Sequence, residues 1–248
     1  MNFFFVVFYQ PIFNFLVWLY NVIPGNDLGV AIIILTLVIR FILYPLSKKS
    51  IKSQKEMQTI QPEIEKIKEK YKGDQQKMGP EIMALYKEKK INPFSSCLPM
   101  LVQLPFLFAI YRVFFDGLTK DDSMGALYSF VANPGTLDVI AFGFFDLSER
   151  SWALALLAGA AQFWQLKMLA AKKKAGAKTG GAASAMTNNM LYFMPLFTVF
   201  IGSRFPAGLT LYWLLTTLFS VAQQYIVLNK KKKPGIEVID KKVEVIDK

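Results

Sequence analysis

The chain has 248 residues, 53% of them hydrophobic and 19% charged, with a formal net charge of +11, and its charges lie in blocks between apolar runs, as in a multi-span membrane protein. It has no His and a single cysteine, Cys97, which excludes His-based acid–base catalysis, Cys/His zinc sites and an intrachain disulfide. Because it also has no Gly-rich phosphate loop, we expect no enzyme, no cofactor and no small-molecule substrate.

Residues 1–26 form an apolar segment without Lys or Arg, so the basic region of a signal peptide is missing. Polar residues and a proline interrupt this segment, and the stretch from Pro11 to Tyr20 is too short to span a bilayer. We therefore expect an extracytoplasmic helix that lies in the membrane interface, with Trp18 at headgroup level. An uncleaved first span is the alternative.

Five further apolar runs predict transmembrane helices at residues 27–46, 95–117, 151–171, 189–204 and 206–228. The last two meet at a tight turn in which Pro206 suits the first turn of the following helix.

The distribution of Lys and Arg predicts the orientation of these spans. Segment 47–94 has twelve Lys against seven acids, loop 172–188 has four Lys and no acid, and the tail 229–248 opens with Lys230, Lys231, Lys232 and Lys233. The 118–150 loop has only two cations. Since cytoplasmic segments carry the excess of positive charge, the N-terminus is expected outside and the C-terminus in the cytoplasm.

Segment 47–94 is the one long polar stretch between spans, and it shows two short helical patterns. Apolar residues recur at helical spacing in both of them: Ile60, Ile64, Ile67 and Tyr71, then Met78, Ile82 and Leu85. Gly73–Asp74 separates the two patterns, which predicts an antiparallel cytoplasmic hairpin. We favour a mobile platform for a partner or an arriving chain over a solvated spacer. Loop 172–188 is Lys-, Gly- and Ala-rich, and its composition is typical of a flexible segment.

Arg40 is the charge that raises the functional question. It lies inside the first span, six residues before Leu46, or about 9 Å along a helix. A charge near the bilayer centre costs about 2.5–3.5 kcal/mol on insertion scales, and snorkelling covers only part of the distance to the surface. No acid lies at membrane depth to pair with it, so we expect a hydrophilic cavity open to the cytoplasm.

Polar residues elsewhere in the spans would suit the wall of such a cavity. Thr36 and Tyr44 lie one turn to either side of Arg40 and share its face. Candidates from the other spans are Gln103, Gln165, Trp213 and Ser220. The alternative is that these polar residues form ordinary interhelical hydrogen bonds, each worth about 0.6 kcal/mol. We favour that alternative for Gln162, Thr217 and Gln223.

The order of the longer motifs resembles one known family. An apolar run with Arg40 precedes "YPLSKKS"; a charged hairpin follows, then "NPFSSCLPMLVQLPFLFAIYR" and, later, "FPAGLTLYW". This combination is similar to the YidC/Oxa/Alb membrane protein insertases over about residues 10–230. The large extracytoplasmic domain of Gram-negative relatives and the lipoprotein-type signal common among Gram-positive relatives have no counterpart here, so we expect either a short bacterial form or a part of a longer protein.

The resemblance implies five helices in a bacterial cytoplasmic membrane around a hydrophilic groove that is open to the cytoplasm and to lipid. Arg40 fills the place of the family's intramembrane Arg. Thr36 and Trp213 match positions linked to substrate contact, and Gln165 is a further match. The hairpin corresponds to mobile cytoplasmic helices and the tail to a ribosome-facing extension. The expected partner-binding cations are Lys66 and Lys68 in the hairpin and Lys230 to Lys233 in the tail.

The implied function is insertion and folding of client membrane proteins. The ribosome and anionic lipids are further expected partners, and cooperation with a Sec translocase stays open. Two alternatives remain: a small transporter or anion channel that uses Arg40 as a binding charge, and a scaffold whose hairpin only recruits partners. Neither an internal repeat nor a pair of matching broken helices supports the transporter.

Overall fold

The computed structural model describes residues 3–96, 98–117, 121–169 and 182–229. In these residues the chain is mostly helical, which confirms the expected all-α class. The helices are α1 (Gln10–Val22), α2 (Leu28–Ile42), α3 (Tyr44–Thr59), α4 (Gln61–Lys70), α5 (Gln75–Glu88), α6 (Leu98–Arg112), α7 (Trp152–Leu169), α8 (Ala182–Gly202) and α9 (Ala207–Asn229). Strands β1 (Ile140–Ala141) and β2 (Phe145–Asp146) form a small antiparallel pair. The tail cations Lys230 to Lys233 and most of loop 172–188 lie outside the described residues.

The N-terminal helix is longer than the expected segment from Pro11 to Tyr20. A π-helical turn, Phe5–Tyr9, runs directly into α1. Pro11 stands in the first turn of α1, where its missing N–H costs little, so the helix continues through it. The interfacial position of this helix stays a prediction.

Two helices of the described residues are long and apolar enough to cross a membrane, Phe5–Val22 and Ala207–Asn229. Helices α2 and α3 together would make a third span if they form one broken helix. The two helices meet at an angle of 65°. The expected span 27–46 is thus bent at Leu43 rather than straight. Pro45 in the first turn of α3 accounts for the break, since proline cannot continue the hydrogen bonding of the preceding helix. The count of five spans stays a prediction.

The helical bundle is built around α9 and α7. Helix α7 packs against both α8 and α9, and α2 packs against α9 on another side. Gly159 allows the close approach of α7 to α8, because a Cβ there would clash with Val199 Cγ2. Thr198 on α8 donates a hydrogen bond to the Gln162 amide oxygen on α7, and Gln223 Nε2 donates to the Tyr44 carbonyl at 3.1 Å.

These last two contacts confirm the interhelical role expected for Gln162 and Gln223. The third residue of that group behaves differently. Thr217 Oγ1 donates to the Trp213 carbonyl of its own helix at 2.9 Å.

The loop between α6 and α7 runs beside α1 for much of its length. Asn14 is buried and donates to the Ala126 carbonyl at 2.9 Å while accepting from the Tyr128 N–H at 2.6 Å. Nearer the end of α1, the Tyr20 hydroxyl accepts from the Asp138 N–H at 3.0 Å. The polar residues of the N-terminal helix therefore serve to bind this loop.

Helices α4 and α5 pack on each other through a separate apolar cluster formed by Ile60, Ile64 and Leu85. Lys89 at the C-cap of α5 pairs with Glu63 in the first turn of α4, at 3.2 Å. These contacts put the end of α5 beside the start of α4. The sequence pattern did not indicate α3, which comes between the bend and this helix pair and packs against α9.

Candidate functional site

Arg40 lies in the last turn of α2, on the side that packs against α9. Its side chain is buried, with 9% of its surface exposed. Its Nε atom is buried without a hydrogen-bond partner, and Arg40 forms no ion pair with any carboxylate in the part of the chain that the structure describes. A buried donor of this kind is costly unless water or another polar group reaches it.

Thr36 lies one turn before Arg40 and is 1% exposed. Its hydroxyl donates to the Ile32 carbonyl of the same helix at 2.6 Å. This bond satisfies the hydroxyl within α2, so Thr36 contributes a small buried side chain beside Arg40 rather than a free donor.

Tyr212 on α9 is a polar residue of the site that the sequence analysis missed. It is 2% exposed, and its phenol oxygen accepts a hydrogen bond from Gln103 Nε2 on α6 at 2.5 Å. Tyr212 also lies within electrostatic range of Arg40. Arg40, Gln103 and Tyr212 thus join α2, α6 and α9 in one polar cluster, which we call the Arg40 cluster.

The other expected groove residues occupy the margins of this cluster or lie apart from it. Trp213 is half-buried at the next position of α9, about 100° around the helix from Tyr212. Ser220 is half-buried and donates to the Thr216 carbonyl at 2.9 Å. Tyr44 lies beyond the bend in α3, so the expected common face extends only over Thr36 and Arg40. Gln165 is half-buried on α7, which packs mainly against α8 and α9.

Buried polar residues continue along α9 from the Arg40 cluster toward α3. They are Thr216, Thr217, Gln223 and Gln224 on α9, with Ser50 and Ser53 on α3. Gln224 is 2% exposed, and its Oε1 atom has no hydrogen-bond partner among the residues that the structure describes. Polar side chains are therefore buried on α9 for about two turns beyond the Arg40 cluster.

The expected cations of the hairpin lie on α4. Lys66 is exposed and Lys68 is half-buried, and because they are two residues apart they point to different sides of α4. Among the described residues, no cluster of His, Cys, Asp and Glu could hold a metal ion.

Comparison with known proteins assigns the chain to a family. Residues 18–234 match the family described as 60Kd inner membrane protein. A Fusobacterium nucleatum protein named membrane protein insertase YidC is 39% identical over 224 residues, which are 90% of this chain and 97% of that protein.

Longer relatives carry the same name. The Rickettsia africae protein is 35% identical over 90% of this chain, and the Syntrophobacter fumaroxidans protein is 38% identical over 88% of it. The match covers only 39% and 37% of those two proteins. This chain is therefore similar to nearly the whole Fusobacterium protein and to well under half of the longer ones. From these matches and its apolar helices, the chain is an integral membrane protein and belongs to the 60Kd inner membrane protein family, the YidC/Oxa family that its motifs resemble.

Proposed function

We propose that this chain is a membrane protein insertase and chaperone, which receives polar or acidic segments of client proteins in a hydrophilic groove. The observation that carries this proposal is the Arg40 cluster. A buried guanidinium with an unpartnered Nε sits in a membrane protein whose relatives are named insertases. If Arg40 binds a client segment, its Nε–H donor gains a partner. In a purely structural role, the donor stays unpaired.

The proposed membrane arrangement has five spans, formed by α2, α6, α7, α8 and α9, in a bacterial cytoplasmic membrane. The groove opens to the cytoplasm and to lipid, the N-terminus is outside, and the C-terminus is cytoplasmic. The alternation of basic segments supports this orientation. The hydrogen bonds of Asn14 and Tyr20 to the loop after α6 support an interfacial position for α1. A spanning α1 would draw the irregular loop backbone into hydrocarbon, where its polar groups would lack partners.

In the first step of the proposed mechanism, Arg40 keeps water in the groove and attracts an acidic or polar client segment. At about 4 Å, a guanidinium and a carboxylate attract each other by roughly 1–4 kcal/mol for effective dielectric constants between water and a protein surface. The unpartnered Oε1 of Gln224 adds an acceptor for client N–H groups farther along the groove. Such a groove shortens the hydrocarbon path that a polar segment has to cross.

In the second step, the apolar helix of the client moves into lipid along the open side, beside α6 and α8. Burial of apolar surface in lipid drives this movement, at about 25 cal/mol per Å² removed from water. For an acidic segment moving outward, the membrane potential adds about 2.3 kcal/mol per charge per 100 mV. The proposed mechanism therefore uses no nucleotide.

In this proposal the client arrives at the cytoplasmic side of the protein. Lys66 and Lys68 on α4 and the tail residues Lys230 to Lys233 would bind the ribosome or anionic lipid headgroups. Cooperation with a Sec translocase is a separate question for reconstitution with and without that complex.

Site-specific photocrosslinking to a ribosome-bound client tests the proposal. Crosslinkers at Gln103 and Trp213, both half-buried, probe the groove, and one at Leu156, which is 58% exposed on α7, is the control. We expect both groove positions to crosslink to the emerging apolar segment of a single-span membrane protein. A secreted chain should give no such product.

The alternatives predict other outcomes. Ion flux through reconstituted vesicles that depends on Arg40, together with absent client crosslinks, would indicate an anion channel or transporter. Insertion that survives Arg40→Ala but not deletion of residues 55–92 would indicate a scaffold.

A further inference from the structure

The hairpin formed by β1 and β2 carries exposed aromatic residues far from the Arg40 cluster along α2. Its turn reads Phe142-Gly143-Phe144, and Phe144 is 81% exposed while Phe142 is 43% exposed. Ile140, at the start of β1, is 39% exposed. A three-residue turn with two Phe side chains in solvent contact is unexpected in water, where turns favour Gly, Asn, Asp and Pro.

The hairpin is held firmly against the start of α2. Asp27 accepts a hydrogen bond from the Phe142 N–H at 2.6 Å and another from the Val30 N–H, in the first turn of α2, at 3.0 Å. Gly29 lets the hairpin approach closely, because a Cβ there would lie 2.6 Å from the Ala141 Cβ and 3.0 Å from the Phe142 ring. The Phe142 ring thus rests on α2, and Phe144 is the side chain that projects.

The segment after the hairpin is fixed to the start of α9. The Leu147 carbonyl accepts from the Gly208 N–H at 2.9 Å, and the Glu149 carbonyl accepts from the Ala207 N–H at 2.7 Å. Helix α9 has 23 residues and is about 34 Å long, slightly more than the hydrocarbon thickness of about 30 Å. Its first residues therefore lie close to a membrane surface, and the hairpin lies at the same level.

The backbone of the turn is strained at Phe142. Phe142 has a φ of +56° and Gly143 one of +77°. Positive φ is common for Gly and Asn but is an outlier for a bulky residue. Backbone strain of this kind persists where surrounding structure enforces it and often marks a functional segment.

We infer that the turn inserts into the interfacial layer of the lipid leaflet at which α2 and α9 begin, with Phe144 as the main anchor. The partner is the lipid surface for two reasons. Aromatic rings favour the headgroup level, and the hairpin region is hydrogen-bonded to the starts of α2 and α9, which lie at that level. The anchor would fix the depth at which α2 enters the membrane. It would thereby fix the depth of Arg40, twelve residues and about 18 Å beyond Leu28. The inference requires only that both helices start at one membrane surface, and it is independent of the insertase proposal.

Fluorescence quenching in vesicles tests the anchor. In a Cys97→Ser background, Phe144→Cys is labelled with an environment-sensitive dye, and the full chain is reconstituted into phosphatidylcholine–phosphatidylglycerol vesicles. A fraction of the lipids carries a nitroxide, either on the headgroup or at carbon 5 of the acyl chain. Thr136→Cys, an exposed position in the same loop, is the matched control.

We expect blue-shifted emission at position 144, with quenching by the headgroup and carbon-5 nitroxides at least twice that at position 136, and little quenching of 144 by aqueous iodide. Equal quenching by iodide at the two positions would overturn the inference. So would protection of position 144 from iodide without quenching by nitroxide lipids, since a protein surface would then cover the turn.

Discussion

Gln103 on α6 donates a 2.5 Å hydrogen bond to the phenol oxygen of Tyr212 on α9. This bond ties two helices of the bundle together beside Arg40, and it uses a neutral donor and a neutral acceptor. Arg40 takes no part in this hydrogen bond, and its Nε has no partner among the described residues. The cluster thus combines a fixed frame with a buried cation.

Removing the phenol oxygen should destabilise the protein. Tyr212→Phe leaves the Gln103 amide without its partner, and we expect a loss of about 1–3 kcal/mol in the free energy of unfolding. Denaturant unfolding of the purified protein in detergent measures this loss of unfolding free energy. The control is Tyr192→Phe, at a position 61% exposed on α8, which should change stability by less than about 0.5 kcal/mol.

The same pair gives a second check through a double-mutant cycle. Gln103→Leu combined with Tyr212→Phe should cost less than the sum of the single changes, with a coupling of about 0.5–3 kcal/mol. Simple additivity would mean that the bond contributes nothing to the frame of the site.

Two aspartates that cap helices, Asp27 at α2 and Asp74 at α5, offer a matched comparison. Asp27 accepts from Val30 at the start of α2 and also from Phe142 in the loop hairpin, whereas Asp74 accepts from Lys77 at the start of α5. Loss of an N-cap costs about 0.5–2 kcal/mol, and loss of a hydrogen bond to a charged group about 1.5–3 kcal/mol. We therefore expect Asp27→Ala to lower the unfolding free energy more than Asp74→Ala does. Equal losses of unfolding free energy in the two variants would contradict a tether between α2 and the β1–β2 hairpin.

The helix pair α4 and α5 should depend on its apolar cluster rather than on its surface ion pair. Ile64 is 4% exposed inside that cluster, and Ile64→Ala should cost about 2 kcal/mol or more. Glu63→Gln removes the exposed pair with Lys89 and should cost no more than about 1 kcal/mol. Amide hydrogen exchange of α4 and α5 measures both effects. If the pair is a client platform, insertion should also fall for Ile64→Ala and stay near wild type for Glu63→Gln.

Some parts of the site could be predicted from the sequence and others could not. Arg40 was recognisable because a single cation interrupts an apolar run. Tyr212 was not, because consecutive positions on a helix point about 100° apart and the aromatic pair Tyr212–Trp213 does not say which ring faces inward. The four-residue spacing of Tyr212, Thr216 and Ser220 was the available signal.

The bend and the N-terminal helix illustrate a second limit. Pro45 was visible in the sequence, yet proline near the end of an apolar run is compatible with a straight span, a kink or a new helix. Packing of α3 against α9 decides the outcome. Likewise Gln10 and Asn14 read as interruptions of α1, because their loop partner Ala126 is more than a hundred positions away.

The most direct test of the groove mechanism varies the charge at position 40 and the charge of the client together. Purified wild type, Arg40→Lys, Arg40→Gln and Arg40→Ala are reconstituted into vesicles, and insertion is measured for one client with an acidic outer segment and for its Asp-to-Asn version. From an attraction of about 1–4 kcal/mol, we expect Gln and Ala at position 40 to lower insertion of the acidic client at least about fivefold. Lys should retain most activity, and the neutral client should change little. Equal insertion by positive and neutral residues at position 40 would contradict the account.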